Sequence, residues 1–246
     1  MESIENLANK VLKKADMAVE DSLLSAMNLP FFSALRWVER QTHTRTNHAQ
    51  MLVGLREGLF LKEFVVHTQS VRILEIGTFT GYSLLCLSEG VRSVLASRGI
   101  KDIRYGEDTR VDAIELNPQL DYLINGGLQK AGTAKLVKVC FGDALTVIPE
   151  KFLDRKYDLV FIDANKRQYS EYYNLVYPLV EPEGYILADN VIWYGKVNES
   201  ANLSDSKSQG IAYFNKLVES DQRTEKTLLN IRDGLYIVKK LKKNFI

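Results

Sequence analysis

The sequence predicts a single α/β domain over residues 1–246. A seven-stranded, mostly parallel sheet carries a C-terminal antiparallel hairpin, and a helical N-terminal segment (1–70) packs on the site. Three observations lead there. Up to residue 70 the apolar residues recur at helical spacing. From residue 71 short apolar runs alternate with longer helical stretches, the pattern of parallel strands joined by crossover helices. Near the C-terminus two strand-like runs flank Arg232-Asp233-Gly234, as in a hairpin.

The elements follow in order. Ile4 to Ala18 reads as a helix, Asn28-Leu29-Pro30 as a break, and Leu35 to Val38 as a second helix. His48 to Val66 reads as a third, weakened by Gly54 and Gly58. Five runs then supply the parallel strands: Arg72 to Ile76, Val111 to Glu115, Leu136 to Val139, Leu159 to Asp163, and Tyr185 to Asp189. Ser97 to Arg110 is a polar insert. Thr227 to Ile231 and Leu235 to Val238 form the hairpin. Asn198 to Gly210, rich in Ser, Asn and Asp, reads as a mobile loop.

Composition narrows the function. With 46% hydrophobic and 26% charged residues, the chain falls among globular domains rather than disordered or fibrous ones. Lys and Arg total 32 against 31 Asp and Glu, so the net charge of +1 gives no reason to expect nucleic acid or an anionic membrane as partner. No run reaches the roughly 18 apolar residues of a membrane span. The start, Met1-Glu2-Ser3-Ile4-Glu5, lacks a signal-peptide core, so a cytoplasmic protein is expected. Cys86 and Cys140 lie in apolar runs and read as buried reduced thiols. His43, His48 and His67 lack metal-ligand spacing. Asp158 belongs to a strand or turn, Trp37 fits core or site, and the basic run Lys239 to Lys243 reads as a solvated tail.

Four acids stand near strand ends: Glu75, Glu115, Asp163 and Asp189. Ligands of open α/β sheets bind outside the carboxyl ends of the strands. Each acid alone also fits a helix cap; four on one rim point to a ligand site. Between strand and helix lies Glu75-Ile76-Gly77-Thr78-Phe79-Thr80-Gly81-Tyr82-Ser83. Its two glycines fall short of the three of the dinucleotide fingerprint. A carboxylate at Glu75 repels a pyrophosphate and attracts a cationic group, which argues against NAD. Glu115 can accept two hydrogen bonds from a ribose diol, and the Asp of Gly142-Asp143-Ala144 can hold an adenine amine.

Together with Phe161-Ile162-Asp163-Ala164-Asn165-Lys166 and Ala188-Asp189-Asn190-Val191-Ile192-Trp193, these residues resemble the class I S-adenosylmethionine-dependent methyltransferases. More narrowly, the chain is similar to the cation-dependent O-methyltransferases typified by caffeoyl-CoA O-methyltransferase and catechol O-methyltransferase. The resemblance runs from residue 30 to residue 242 and includes Met51 and Glu57-Gly58. It implies a Rossmann-like methyltransferase fold and a homodimer. It implies that S-adenosylmethionine lies against Met51, Val53, Glu75, Gly77, Thr78, Tyr82, Ser83, Glu115, Asp143, Ala144 and Asp163. Asp163, Asp189 and Asn190 match ligands of a divalent cation, Mg²⁺ or a similar ion such as Ca²⁺ or Mn²⁺.

Lys166 stands where catechol enzymes carry a general base, so Lys166 and Asp163 are the implied catalytic pair. Trp193 and Tyr194 would wall a small hydroxylated aromatic acceptor. There are departures: Asn165 replaces an acid found in plant members, and Tyr194 replaces a substrate-binding Asn. The implied reaction is methyl transfer to a hydroxyl of a catechol-like acceptor. Two alternatives are an NAD-dependent oxidoreductase, which shares the sheet and the ribose acid, and a non-catalytic cofactor-binding module.

Overall fold

A computed structural model describes residues 2–24, 29–101, 104–197 and 205–242. The strands are β1 (Arg72–Ile76), β2 (Arg110–Glu115), β3 (Val137–Phe141), β4 (Tyr157–Ile162), β5 (Val180–Asp189), β6 (Thr224–Leu229) and β7 (Leu235–Lys240). They form one sheet in the order β3-β2-β1-β4-β5-β7-β6. Strands β1 to β5 are parallel, and β7 runs antiparallel to both β5 and β6. The helices are α1 (Ile4–Leu24), α2 (Pro30–Arg45), α3 (Gly54–Thr68), α4 (Tyr82–Ser97), α5 (Asp121–Ala131), α6 (Ala144–Lys151), α7 (Tyr169–Val176) and α8 (Ser206–Ser220).

The strand runs are almost continuously apolar because the sheet is covered on both faces. Alternate residues enter opposite cores. Ile73, Val111, Leu159, Phe161 and Leu187 pack with α1 to α5. Leu74, Ile76, Ile114, Val160, Ile162 and Ile186 pack with α6 to α8. Chain direction away from β1 and β4 reverses the build-up of the sheet, so their carboxyl ends open a crevice at a topological switch point.

Several boundaries differ from the sequence reading. The third helix is split: Ala49–Met51 makes one 3₁₀ turn, and α3 starts only at Gly54. Strand β6 ends at Leu229 rather than Ile231. Its register with β7 pairs Leu229 with Leu235, which leaves residues 230–234 as the turn. The loop expected over 198–210 ends early. Asp205 caps α8 by accepting from the amides of Lys207 and Ser208, so residues 206–210 are helical. Residues 198–204 lie outside the described part.

The basic tail is also corrected at its start. Lys239 is buried and pairs with Glu183 at 2.8 Å, and Lys240 Nζ donates to the carbonyls of Tyr177 and Val180. Both cysteines are buried free thiols. Asp158 accepts from the Val71 and Arg72 amides and the Arg72 guanidinium, a structural role. Among the described residues no helix is long and apolar enough to cross a membrane.

Candidate active site

The crevice begins with a glycine. Gly77 leaves β1 at φ +93°, and a Cβ there would lie 2.0 Å from the carbonyl oxygen of Asp163. Only glycine allows the turn after β1 to touch the loop after β4. The Asp163 amide donates to Ile76 O at 2.9 Å, and the Gly77 amide to Ile114 O at 3.0 Å. Three neighbouring strand ends are thereby locked together. Met51, Val53, Gly77, Thr78, Tyr82, Ser83 and Asp163 line one narrow space, which unites seven of the predicted cofactor residues. A larger groove at the opposite strand ends, lined by Arg72, Arg98 and Asp158 among others, holds none of the predicted site residues.

Glu75 sits beneath this space, fully buried. Thr78 Oγ1 donates to its Oε2 at 2.8 Å, while Oε1 has no hydrogen-bond partner. Burial pushes the Glu75 carboxyl up to about 8, with the Ser83 and Thr78 hydroxyls pulling the other way. Glu115 ends β2 and is held by two backbone amides, Phe79 N at 2.7 Å and Asn117 N at 2.8 Å. Its pKa is raised by burial, against which these amides act. Asp143 is exposed and caps α6 through the Leu145 amide at 2.9 Å, and the following Ala144 is buried. For Asp143 the cap role is therefore real, and a second acceptor oxygen remains for a ligand.

The tips of β4 and β5 carry the remaining groups. Lys166 is buried, and its Nζ donates to Asp163 Oδ1 at 2.6 Å and to the Tyr169 hydroxyl. Tyr169 in turn donates to the Asp189 carbonyl at 3.0 Å, so one phenol joins the lysine to the end of β5. Its ring stacks edge-on against Phe214 of α8, with centroids 5.4 Å apart. Asp189 is buried and accepts from the Asn190 amide at 2.6 Å. Asn190, Trp193 and Tyr194 all have left-handed backbones, with φ of 60°, 50° and 56°. Such conformations are costly away from glycine and gather where a site over-determines them. Trp193 is half-buried and Tyr194 exposed.

Glu57 of α3 was not assigned a role by sequence, beyond fitting the upstream segment. It is fully buried, and neither of its oxygens receives a hydrogen bond. The Asp189 carboxyl faces it, and Arg232 Nε lies 3.6 Å from its Oε2. Burial, and next the Asp189 charge, push Glu57 well above the usual carboxylate range. Burial, and next Asp163, push Asp189 up as well. The two facing acids need a proton or a cation between them. Tyr169 and Arg232 were likewise unassigned. Their roles depend on contacts between distant segments, for which the sequence carries no local signal.

Among the described residues no group of three or more His, Cys, Asp or Glu side chains is gathered as an ion site. The predicted set uses an amide as its third member. Its donors are all oxygens, as hard divalent cations require. Glu57, beside Asp189, already has the Arg232 guanidinium 3.6 Å from its Oε2. The residues fit such an ion.

The sequence profile of the O-methyltransferase family matches residues 24–241. The chain belongs to that family. This O-methyltransferase is 30% identical over 201 residues to a caffeoyl-CoA O-methyltransferase of Populus kitakamiensis, covering 78% of this chain and 79% of that one. It is 28% identical over 200 residues to a flavonoid 3',5'-methyltransferase of Vitis vinifera, covering 78% and 79%. Among solved structures it is similar to an O-methyltransferase from Bacillus cereus in complex with SAH. The identity is 26% and the TM-score 0.73, over 90% of this chain and 97% of that one. Membership sets aside the oxidoreductase and non-catalytic alternatives.

Proposed function

We propose that the protein moves a methyl group from S-adenosylmethionine to one hydroxyl of a small vicinal aromatic diol, assisted by a divalent cation. The observation that carries this reading is the buried Lys166, 2.6 Å from Asp163, itself a lining residue of the Gly77 crevice, and tied through Tyr169 to Asp189. The donor is assigned to the crevice lined by Met51, Val53, Gly77, Thr78, Tyr82 and Ser83. Glu115 and Asp143 extend that surface along the rim, with Ala144 beside them. Glu75 supports it from below.

Asp163, Asp189 and Asn190 would hold the cation. When bound, it would lower the pKa of an acceptor hydroxyl. The Lys166 amine, having released one proton to bulk water, would accept the hydroxyl proton at Nζ as the acceptor oxygen bonds the methyl and the methyl–sulfur bond breaks to leave S-adenosylhomocysteine. Trp193 and Tyr194 orient the ring and exclude water. Holding donor and acceptor in line can supply several kcal/mol, up to about 7–11 in ideal cases. We propose a cytoplasmic enzyme that works as a homodimer; light scattering of the purified protein checks the dimer.

The test is incubation with labelled S-adenosylmethionine and a panel of vicinal aromatic diols, with and without EDTA. Labelled product that disappears with EDTA is expected. Turnover indifferent to EDTA removes the cation from the reaction, and no product from any diol removes the acceptor class.

A further inference from the structure

The turn between β6 and β7 lies on the same rim as the site, since Leu235 at the start of β7 pairs with Asp189 at the end of β5. Arg232 has φ +47° and points its guanidinium at the segment before α3. Its Nη1 donates to the carbonyl of Leu52 at 2.6 Å, and its Nε lies 3.6 Å from Glu57. Room for it comes from Gly54, where a Cβ would stand 2.9 Å from Nη1. Leu52 lies between Met51 and Val53, so Arg232 fixes the strap that covers the crevice.

The next residue faces the other way. Asp233 Oδ1 accepts from the amide of Tyr194 at 2.6 Å, and its carbonyl accepts from Ile192 N at 2.9 Å. The Gly234 carbonyl accepts from Val191 N at 3.0 Å. The left-handed Trp193-Tyr194 pair is thus held open by a side chain adjacent in sequence to the one holding the strap.

We propose that this turn positions both halves of the site through neighbouring side chains: Arg232 sets the cofactor strap, and Asp233 sets the acceptor wall. What each element binds rests on the proposed function; the positioning itself does not. Both are positioning residues, since neither is assigned contact with a reacting atom. A charge-assisted bond to one carbonyl is strong enough to fix a short strap, and each half of the site keeps its own anchor on the shared turn.

The test separates the two roles in the full-length chain. The background is Trp37→Phe, which leaves Trp193 as the sole tryptophan of the two in the sequence. Arg232→Ala should speed amide exchange at Leu52 and Gly54 and weaken S-adenosylhomocysteine binding by about tenfold in calorimetry. Acrylamide quenching of Trp193 should stay unchanged, and Arg232→Lys should recover part of the affinity. Asp233→Ala should do the reverse, raising quenching of Trp193 and leaving the affinity within about twofold.

Should Arg232→Ala fail to fold, Gly54→Ala displaces the same guanidinium, and its effects on exchange and affinity should match those expected above. The proposal is overturned if Arg232→Ala leaves exchange at the strap unchanged, or if both variants shift both readouts alike. Failure of the wild-type protein to bind S-adenosylhomocysteine would refute the proposed function instead. Exchange and quenching would still decide the positioning roles.

Discussion

Replacing Gly77 with alanine tests the close approach on which the crevice depends. The new Cβ would lie 2.0 Å from the Asp163 carbonyl oxygen and 2.7 Å from its carbon, where real contacts stay above 3.0 Å. The two loops must therefore part by about 1 Å. Left-handed backbone costs alanine about 1–2 kcal/mol, and overpacking adds roughly 1–3 kcal/mol. A loss of about 3 kcal/mol lowers Tm by roughly 6–12 °C in a domain of this size. Gly132→Ala is the control: φ there is +75°, yet nothing lies within 4 Å of the added Cβ. It should lose only the backbone share, about 1–2 kcal/mol. Thermal melts of both variants, followed by calorimetry with S-adenosylhomocysteine, give the comparison. Gly77→Ala should melt lower than Gly132→Ala and bind the ligand more weakly. Equal melting temperatures and equal affinities would refute the reasoning.

Three further outcomes are expected. Glu75 has a pKa of about 8 in the fold against an ordinary value of 4.5. The folded protein thus keeps a proton that the unfolded chain has released. The associated stability is complete below pH 4.5 and is lost as pH rises through about 8; Glu75→Gln should flatten this slope in urea melts between pH 5 and 8.5. Lys166→Ala should cut turnover by about 10²–10⁴-fold while S-adenosylhomocysteine affinity stays near wild type, measured by single-turnover kinetics and calorimetry. Glu57→Gln replaces an acid facing Asp189 with an amide that can donate to it. It should raise the melting temperature of metal-free protein at pH 8.5 and weaken Mg²⁺ binding in calorimetric titration.

Much of the fold was legible because its strands are buried on both sides. Ile73-Leu74 and Val160-Phe161 give apolar runs that no surface helix would show. The acids at strand ends were legible through their position after such runs. Asp143 shows the limit, since a short acid after a strand caps a helix as readily as it faces a ligand. Helix and strand ends were harder to read. At the split, the Leu52 carbonyl accepts from Arg232, 180 residues away, and the early start of α8 follows from the Asp205 cap. Glu57 looked like an ordinary helix residue because nothing local reveals that another acid, Asp189, meets it across the fold.

The phenol of Tyr169 touches Lys166 and the Asp189 carbonyl while its ring rests on Phe214. Repacking of that aromatic interior therefore disturbs the site we propose for proton transfer, although it lies behind it. Directed-evolution libraries seeking hardier variants should leave Tyr169 and Phe214 fixed, because gains in heat tolerance won there would surface as slower chemistry.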